Sequence, residues 1–317
     1  MKARLTILII WFLTTYSNGI MVAQQQPIFT IYREQTALIN PAMPSTNYTI
    51  SEYTSSINAT YRYQWFNVPD APVTQVLSWE NMLEDRNLLI GAYAVNDKTG
   101  AIGTTDVYAR CAYRLFFNQV EKQYLTIGLS AGGSRSYANL AQYITDQNVI
   151  LIEKAKFLPN LSMGAYYNHG NRFYVGLSAP QLLAIPHTIE TTSGAEINLK
   201  RQMHLYGIAG YYIDAPFFGN DVAFLEPNVW FRYLPGTNTI NFDAGLRAKI
   251  SQTFWAGSSY NVTANTLNVE VGSVLGESVG FSSGQLKIGF GFIIPMGKYW
   301  SSLGSGGEVH LSYSWAK

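Results

Sequence analysis

Glu308, His310 and Ser312 stand two apart near the end of the chain. On a strand that spacing turns all three side chains to one face. A carboxylate, an imidazole and a hydroxyl in a row are the groups of nucleophilic hydrolysis, in which the base takes the hydroxyl proton and the acid orients the base. An outer-membrane lipid hydrolase could be built on them. The competing explanation is a polar face on an alternating strand, which places Ser and His there without any catalytic demand. That explanation is preferred, and no catalytic residue is assigned. None of the four histidines, His169, His187, His204 and His310, has a His, Cys or carboxylate at ligand spacing, so no metal is expected. Gly132-Gly133 and Gly304, Gly306, Gly307 lack the lysine and the following helix of a phosphate loop, so no cofactor is expected either.

The elements that must carry these residues are strands. Leu286, Ile288, Phe290, Phe292 and Ile294 alternate with Lys287, Gly289 and Gly291. Ile240, Phe242, Ala244, Leu246 and Ala248 alternate with Asn241, Asp243, Gly245, Arg247 and Lys249. Only 13% of residues are charged, while 47% are hydrophobic and 14% aromatic. A soluble sheet turns its apolar face to a core, whereas a membrane barrel turns it to lipid and keeps the polar face for its lumen. The repetition of the pattern predicts an all-β fold: a single transmembrane antiparallel barrel of about 14 strands, of the outer-membrane type. Strand segments are expected near 57–65, 72–80, 87–95, 105–117, 123–133, 159–168, 171–179, 202–214, 222–234, 239–251, 253–263, 266–273, 285–295 and 307–315. Those near 72–80 and 87–95 alternate least cleanly.

The beginning of the chain reads as an export signal. Lys2 and Arg4 precede the apolar run Leu5 to Leu13, and Ala23 is a suitable last residue before the cut. The run is shorter than the roughly 20 residues of a spanning helix. Three divisions follow: a signal peptide at 1–23, a periplasmic lead at 24–56, and a barrel at 57–317. Twenty-one basic and twenty acidic residues nearly balance, which gives no electrostatic reason to expect nucleic acid. The single cysteine, Cys111, has no partner for an internal disulfide. An exported chain of alternating aromatic strands belongs in a bacterial outer membrane, with lipid around it.

With the amino end in the periplasm, the long connections 134–158 and 180–201 fall outside the cell. The first contains Val149, Ile150, Leu151 and Ile152. That is too apolar for a plain solvent loop, and it makes these four the candidate partner-binding residues. Arg62, Arg110, Arg114, Glu226, Arg232, Asp243, Arg247, Lys249, Glu270, Lys287 and Glu308 project inward. Charges of both signs suit a narrow, filled lumen better than a wide selective pore.

Several segments in order carry a family resemblance. They are Asn40-Pro41-Ala42, then Tyr61-Arg62-Tyr63-Gln64-Trp65, Ala71-Pro72-Val73-Thr74, Asn96-Asp97-Lys98-Thr99-Gly100, Leu129-Ser130-Ala131-Gly132, and Tyr174-Val175-Gly176-Leu177-Ser178. The series resembles the PorP/SprF outer-membrane proteins of the type IX secretion and gliding motility machinery of Bacteroidetes. The segment Ile31 to Glu34 and the end Trp315-Ala316-Lys317 depart from the family pattern. From the residues themselves, Asn40-Pro41 biases the chain to an extended turn, and Gly100 suits a turn with positive φ after Asn96-Asp97. Arg62 and Gln64 should face inward, with Tyr63 and Trp65 outward at the membrane interface.

The resemblance implies a non-enzymatic component of protein secretion that assists export or surface anchoring of an adhesin. Its partners would be a secreted adhesin bearing a type IX sorting domain and a periplasmic lipoprotein or peptidoglycan-binding component. The rival expectation is an outer-membrane solute channel of the FadL or porin kind. The lipid hydrolase is the third.

Overall fold

Alternating strands can bury one face from lipid and pair every backbone group only by closing on themselves. The computed structural model describes residues 27–139, 152–154, 156–190, 196–199, 201–219, 222–276, 280, 283–297 and 300–316. It forms such a closed barrel. The strands are β1 (Ser55–Tyr63), β2 (Val73–Leu83), β3 (Leu88–Thr99), β4 (Ile102–Asn118), β5 (Gln123–Asn139), β6 (Leu158–His169) and β7 (Phe173–Ala179). They continue as β8 (Leu205–Tyr211), β9 (Phe224–Leu234), β10 (Thr239–Lys249), β11 (Phe254–Asn261), β12 (Thr266–Leu275), β13 (Gln285–Pro295) and β14 (Gly306–Trp315). Each pairs antiparallel with its sequence neighbours, and β1 pairs with β14 to close the ring, with Arg62 opposite Glu308. All fourteen expected segments hold a strand.

The two faces separate as the alternation requires. Leu77, Leu129, Leu177 and Leu246 are exposed on the outer face, where lipid would cover them. Ten of the eleven charged residues expected inside are buried, and Lys249 is half-buried at a mouth of the barrel. Strands β2 and β3 explain their blurred pattern. Their inward faces mix buried Val76, Met82, Leu89, Tyr93 and Val95 with polar Thr74, Ser78 and Glu80, which blurs the contrast with the apolar outer face.

Those inward residues are covered by the chain's own amino-terminal segment. The segment 24–56, expected in the periplasm, is described from residue 27, and it runs through the lumen. Phe29, Ile31, Tyr32, Asn40, Ala42, Met43, Thr46 and Asn47 are all at most 4% exposed. The expectation missed this because the segment lacks strand alternation, and its Gln, Asn, Thr and Pro content reads equally well as solvated chain or as the hydrogen-bonding face of a plug. Two short helices lie within it, α1 (Thr36–Ile39) and α2 (Thr46–Ser51). Ser45 caps α2, its side chain accepting the Tyr48 N–H at 3.4 Å.

Both ends of the barrel wall, Ser55 and Trp315, lie at one mouth, called here the terminus end. The opposite mouth is uneven. β4 and β5 have 17 residues each, and β7 and β8 have seven. The excursion between β7 and β8 holds a small hairpin, His187–Glu190 with Glu196–Leu199. Arg201 then reaches back to Asp106 of β4 at 3.0 Å, so this excursion spans part of the far mouth. The expected loop 134–158 is in part strand: β5 continues to Asn139, and Ile152–Lys154 pairs with its end.

Candidate functional site in the barrel lumen

The plug is held by a ladder of polar contacts, one rung per turn of its chain. Nearest the far mouth, Glu308 of β14 accepts the N–H groups of Thr30 and Ile31 at 2.8 and 3.3 Å. Arg33 next pairs with Glu226 of β9 at 2.5 Å and stacks over the Tyr174 ring, 4.3 Å from its centroid. Glu34 is a hub. It meets Arg247 of β10 at 2.6 Å, Lys287 of β13 at 3.1 Å and the Thr46 hydroxyl at 2.5 Å, with His310 at 3.9 Å. Lys287, Arg247 and the Thr46 hydroxyl thus surround the buried Glu34 carboxylate. A buried charge persists only when paired in this way.

Asn40-Pro41-Ala42 forms a second kind of contact. The Asn40 amide donates to the carbonyls of Ala165 and Leu177 at 3.0 and 3.2 Å, and its oxygen accepts the Ala42 N–H at 2.9 Å. The turn rests on glycines of three adjacent strands. A Cβ on Gly164 would lie 2.0 Å from the Asn40 oxygen, and one on Gly128 would lie 2.6 Å from the Ala42 nitrogen. These glycines are there so that the plug backbone can approach the wall. Below the turn, Ser45 N–H meets Glu80, Arg110 joins Glu80 and the Met43 carbonyl, and Asn47 donates to Ser312 at 2.7 Å.

The hydrolase row is absorbed by this ladder. Glu308 holds the backbone of Thr30 and Ile31. His310 faces Thr60 at 2.9 Å through Nδ1, and Ser312 accepts from Asn47. All three are at most 2% exposed. Their chemistry is that of a binding surface for the plug, and among the described residues the imidazole makes no hydrogen bond to the Ser312 hydroxyl.

The other expected residues scatter. Arg62 is inward and 4% exposed, as predicted. Its side chain makes no hydrogen bond or close ion pair among the described residues, and its cross-strand neighbour Glu308, which accepts from the plug backbone, is its nearest balancing charge. Gln64 and Trp65 lie beyond the end of β1, and Trp65 has φ 61°, so alternation does not govern either side chain. The Gln64 N–H bonds the Pro72 carbonyl at 3.0 Å and closes the β1–β2 connection. Gly100 takes φ 59° in the β3–β4 turn, as expected. Asn96 and Asp97 stay within β3, and Asp97 accepts the Thr74 hydroxyl at 2.5 Å. Val149, Ile150 and Leu151 lie outside the described residues, while Ile152 opens the short strand paired with Asn139.

A closed fourteen-strand wall with an apolar outer face and a lumen filled by the chain's own amino-terminal segment defines a plugged barrel of the bacterial outer membrane. The family model for the type IX secretion system membrane protein PorP/SprF matches residues 21–314, and the chain belongs to that family. No curated protein matches. Among solved structures, the monoaromatic hydrocarbon channel CymD aligns with TM-score 0.55 and 12% identity over 90% of this chain and 93% of its own. A FadL homologue of Pseudomonas aeruginosa gives 0.50 and 10% over 89% and 94%. The Ralstonia pickettii toluene transporter TbuX gives 0.50 and 10% over 89% and 93%. At such identity these likenesses concern the fold alone. The family and these structural relatives are secretion components, channels and transporters.

Proposed function

We propose that this barrel assists the export or surface anchoring of a secreted adhesin, without catalysis and without acting as a standing solute pore. Membership in a type IX secretion family supports the first half. The filled lumen supports the second and is the observation that carries the proposal. Solute flux through an open barrel needs a continuous aqueous path. Here Glu34, Thr46, Asn47 and His310 are buried inside it. A channel for small hydrophobic solutes, as CymD is for monoaromatic hydrocarbons, is the second reading. It would require the plug to move. The plug's terminus-end exit at residues 52–54 faces the periplasm in the proposed orientation and offers a handle to the secretion machinery.

The outer contact we assign to Val149, Ile150, Leu151 and Ile152. Deleting the gene should remove one large adhesin from the cell surface and leave the uptake of small aromatic and polar solutes at the parental rate, as read by surface proteomics and tracer uptake. Loss of solute uptake with an unchanged surface proteome would favour the channel. Changing Val149, Ile150 and Ile152 to Ser, with barrel insertion checked, should lower surface-retained adhesin. Normal retention would move the contact to the lumen or the plug.

A further inference from the structure

At the terminus end, where β10 turns into β11, the end of α2 stands off the wall and leaves a half-open cleft. Its cavity volume is about 40 Å³, and its walls include Ile50 of the plug, Phe254, Trp255, Arg247, Lys249 and Lys287. The three basic residues differ in how they are matched. Arg247 and Lys287 share Glu34, and Arg247 has Glu270 at 3.7 Å. Lys249 has no ion pair or hydrogen bond among the described residues, although it is half-buried on the strand beside Trp255 and Phe224. Among the described residues Arg247 and Lys287 each have a carboxylate in contact and Lys249 has none, beside apolar walls that exclude part of its water. Such a charge is stabilised by an anion that brings its own apolar cover.

We propose that this cleft binds a monocarboxylate flanked by an apolar group. The charge count selects a single negative charge, since a dianion would place its second charge near Glu34 and Glu270. The enclosed volume admits a carboxylate head, and the flank lies in the open mouth against Ile50 and Phe254. Because Ile50 belongs to the plug, occupancy of the cleft bears directly on the segment that closes the lumen. The inference rests on the cleft itself and stands apart from the secretion reading. Two sources share this chemistry, a free short-chain acid and the carboxyl terminus of a peptide.

The test uses the full chain in lipid nanodiscs and isothermal titration. N-acetyl-leucine should bind saturably, and the neutral N-acetyl-leucinamide should bind at least about tenfold more weakly. Lys249→Gln should lower acid affinity to the level of the amide while leaving the heat-dependent gel shift unchanged, and Lys249→Arg should retain binding. Hexanoate binding as well as N-acetyl-leucine would identify a free acid. Tighter binding of N-acetyl-alanyl-leucine would identify a peptide terminus. Equal binding of acid and amide, no binding of any acid, or an unaltered acid affinity in Lys249→Gln would each overturn the proposal.

Discussion

Replacing Glu34 with Ala should destabilise the folded barrel by about 3–5 kcal/mol, the cost of removing one partner from a buried charge network. The carboxylate is the only acidic group in contact with Lys287 among the described residues, and it is the nearer of two in contact with Arg247. Its loss leaves Lys287 buried beside the Thr46 hydroxyl and the His310 ring, with no charge to balance it. Glu34→Gln should cost less, because an amide oxygen can still accept from Thr46. Denaturant unfolding in vesicles, followed by tryptophan fluorescence, measures both. Unfolding of Glu34→Ala at the parental midpoint would show that the hub does not hold the plug.

On the outer face, Leu246→Arg should cost about 2–4 kcal/mol if its position lies near the bilayer midplane, because an arginine there leaves water for hydrocarbon. Leu246 is 47% exposed on β10, and its neighbours Arg247 and Gly245 turn inward. The same strand supplies a control that differs from the simple expectation of a tolerant lumen. A Cβ on Gly245 would lie 2.8 Å from the Asn228 side-chain oxygen, which also receives the Tyr32 hydroxyl of the plug. Gly245→Ser should therefore be felt, by about 1–3 kcal/mol, as overpacking. Heat-modifiability on gels ranks the two variants. Heat-modifiability of Leu246→Arg at the parental level would mean that the register of β10 is wrong.

How far the sequence could be read depends on which face a residue serves. The outer face answers to one requirement, apolar contact with lipid, so period-two alternation locates every strand and sets the register that buries Arg110, Arg232 and Lys287. The inner face answers to a second polypeptide segment, whose position cannot be read from local period. That is why β2 and β3 looked irregular: Val76, Leu89 and Tyr93 are apolar because the plug lies over them. It is also why Glu308, His310 and Ser312 resembled a catalytic row. A mixed set of inward charges did signal a filled lumen, but it could not say with what. The remaining clue was Asn40-Pro41-Ala42 in combination with Gly128, Gly164 and Gly176, a polar turn and a row of glycines far apart in sequence. Trp65 shows the limit of alternation in the other direction, since its positive φ breaks the pattern two residues past the end of β1.

The barrel is closed by its own amino-terminal segment. Planar-bilayer conductance tests this most directly, with the intact chain compared against a variant lacking residues 27–51. The intact protein should show no steady channels, and the shortened barrel should show large, lasting ones as water replaces the plug. Steady open channels from the intact chain, equal to those of the shortened one, would contradict the account and return the protein to the class of solute pores.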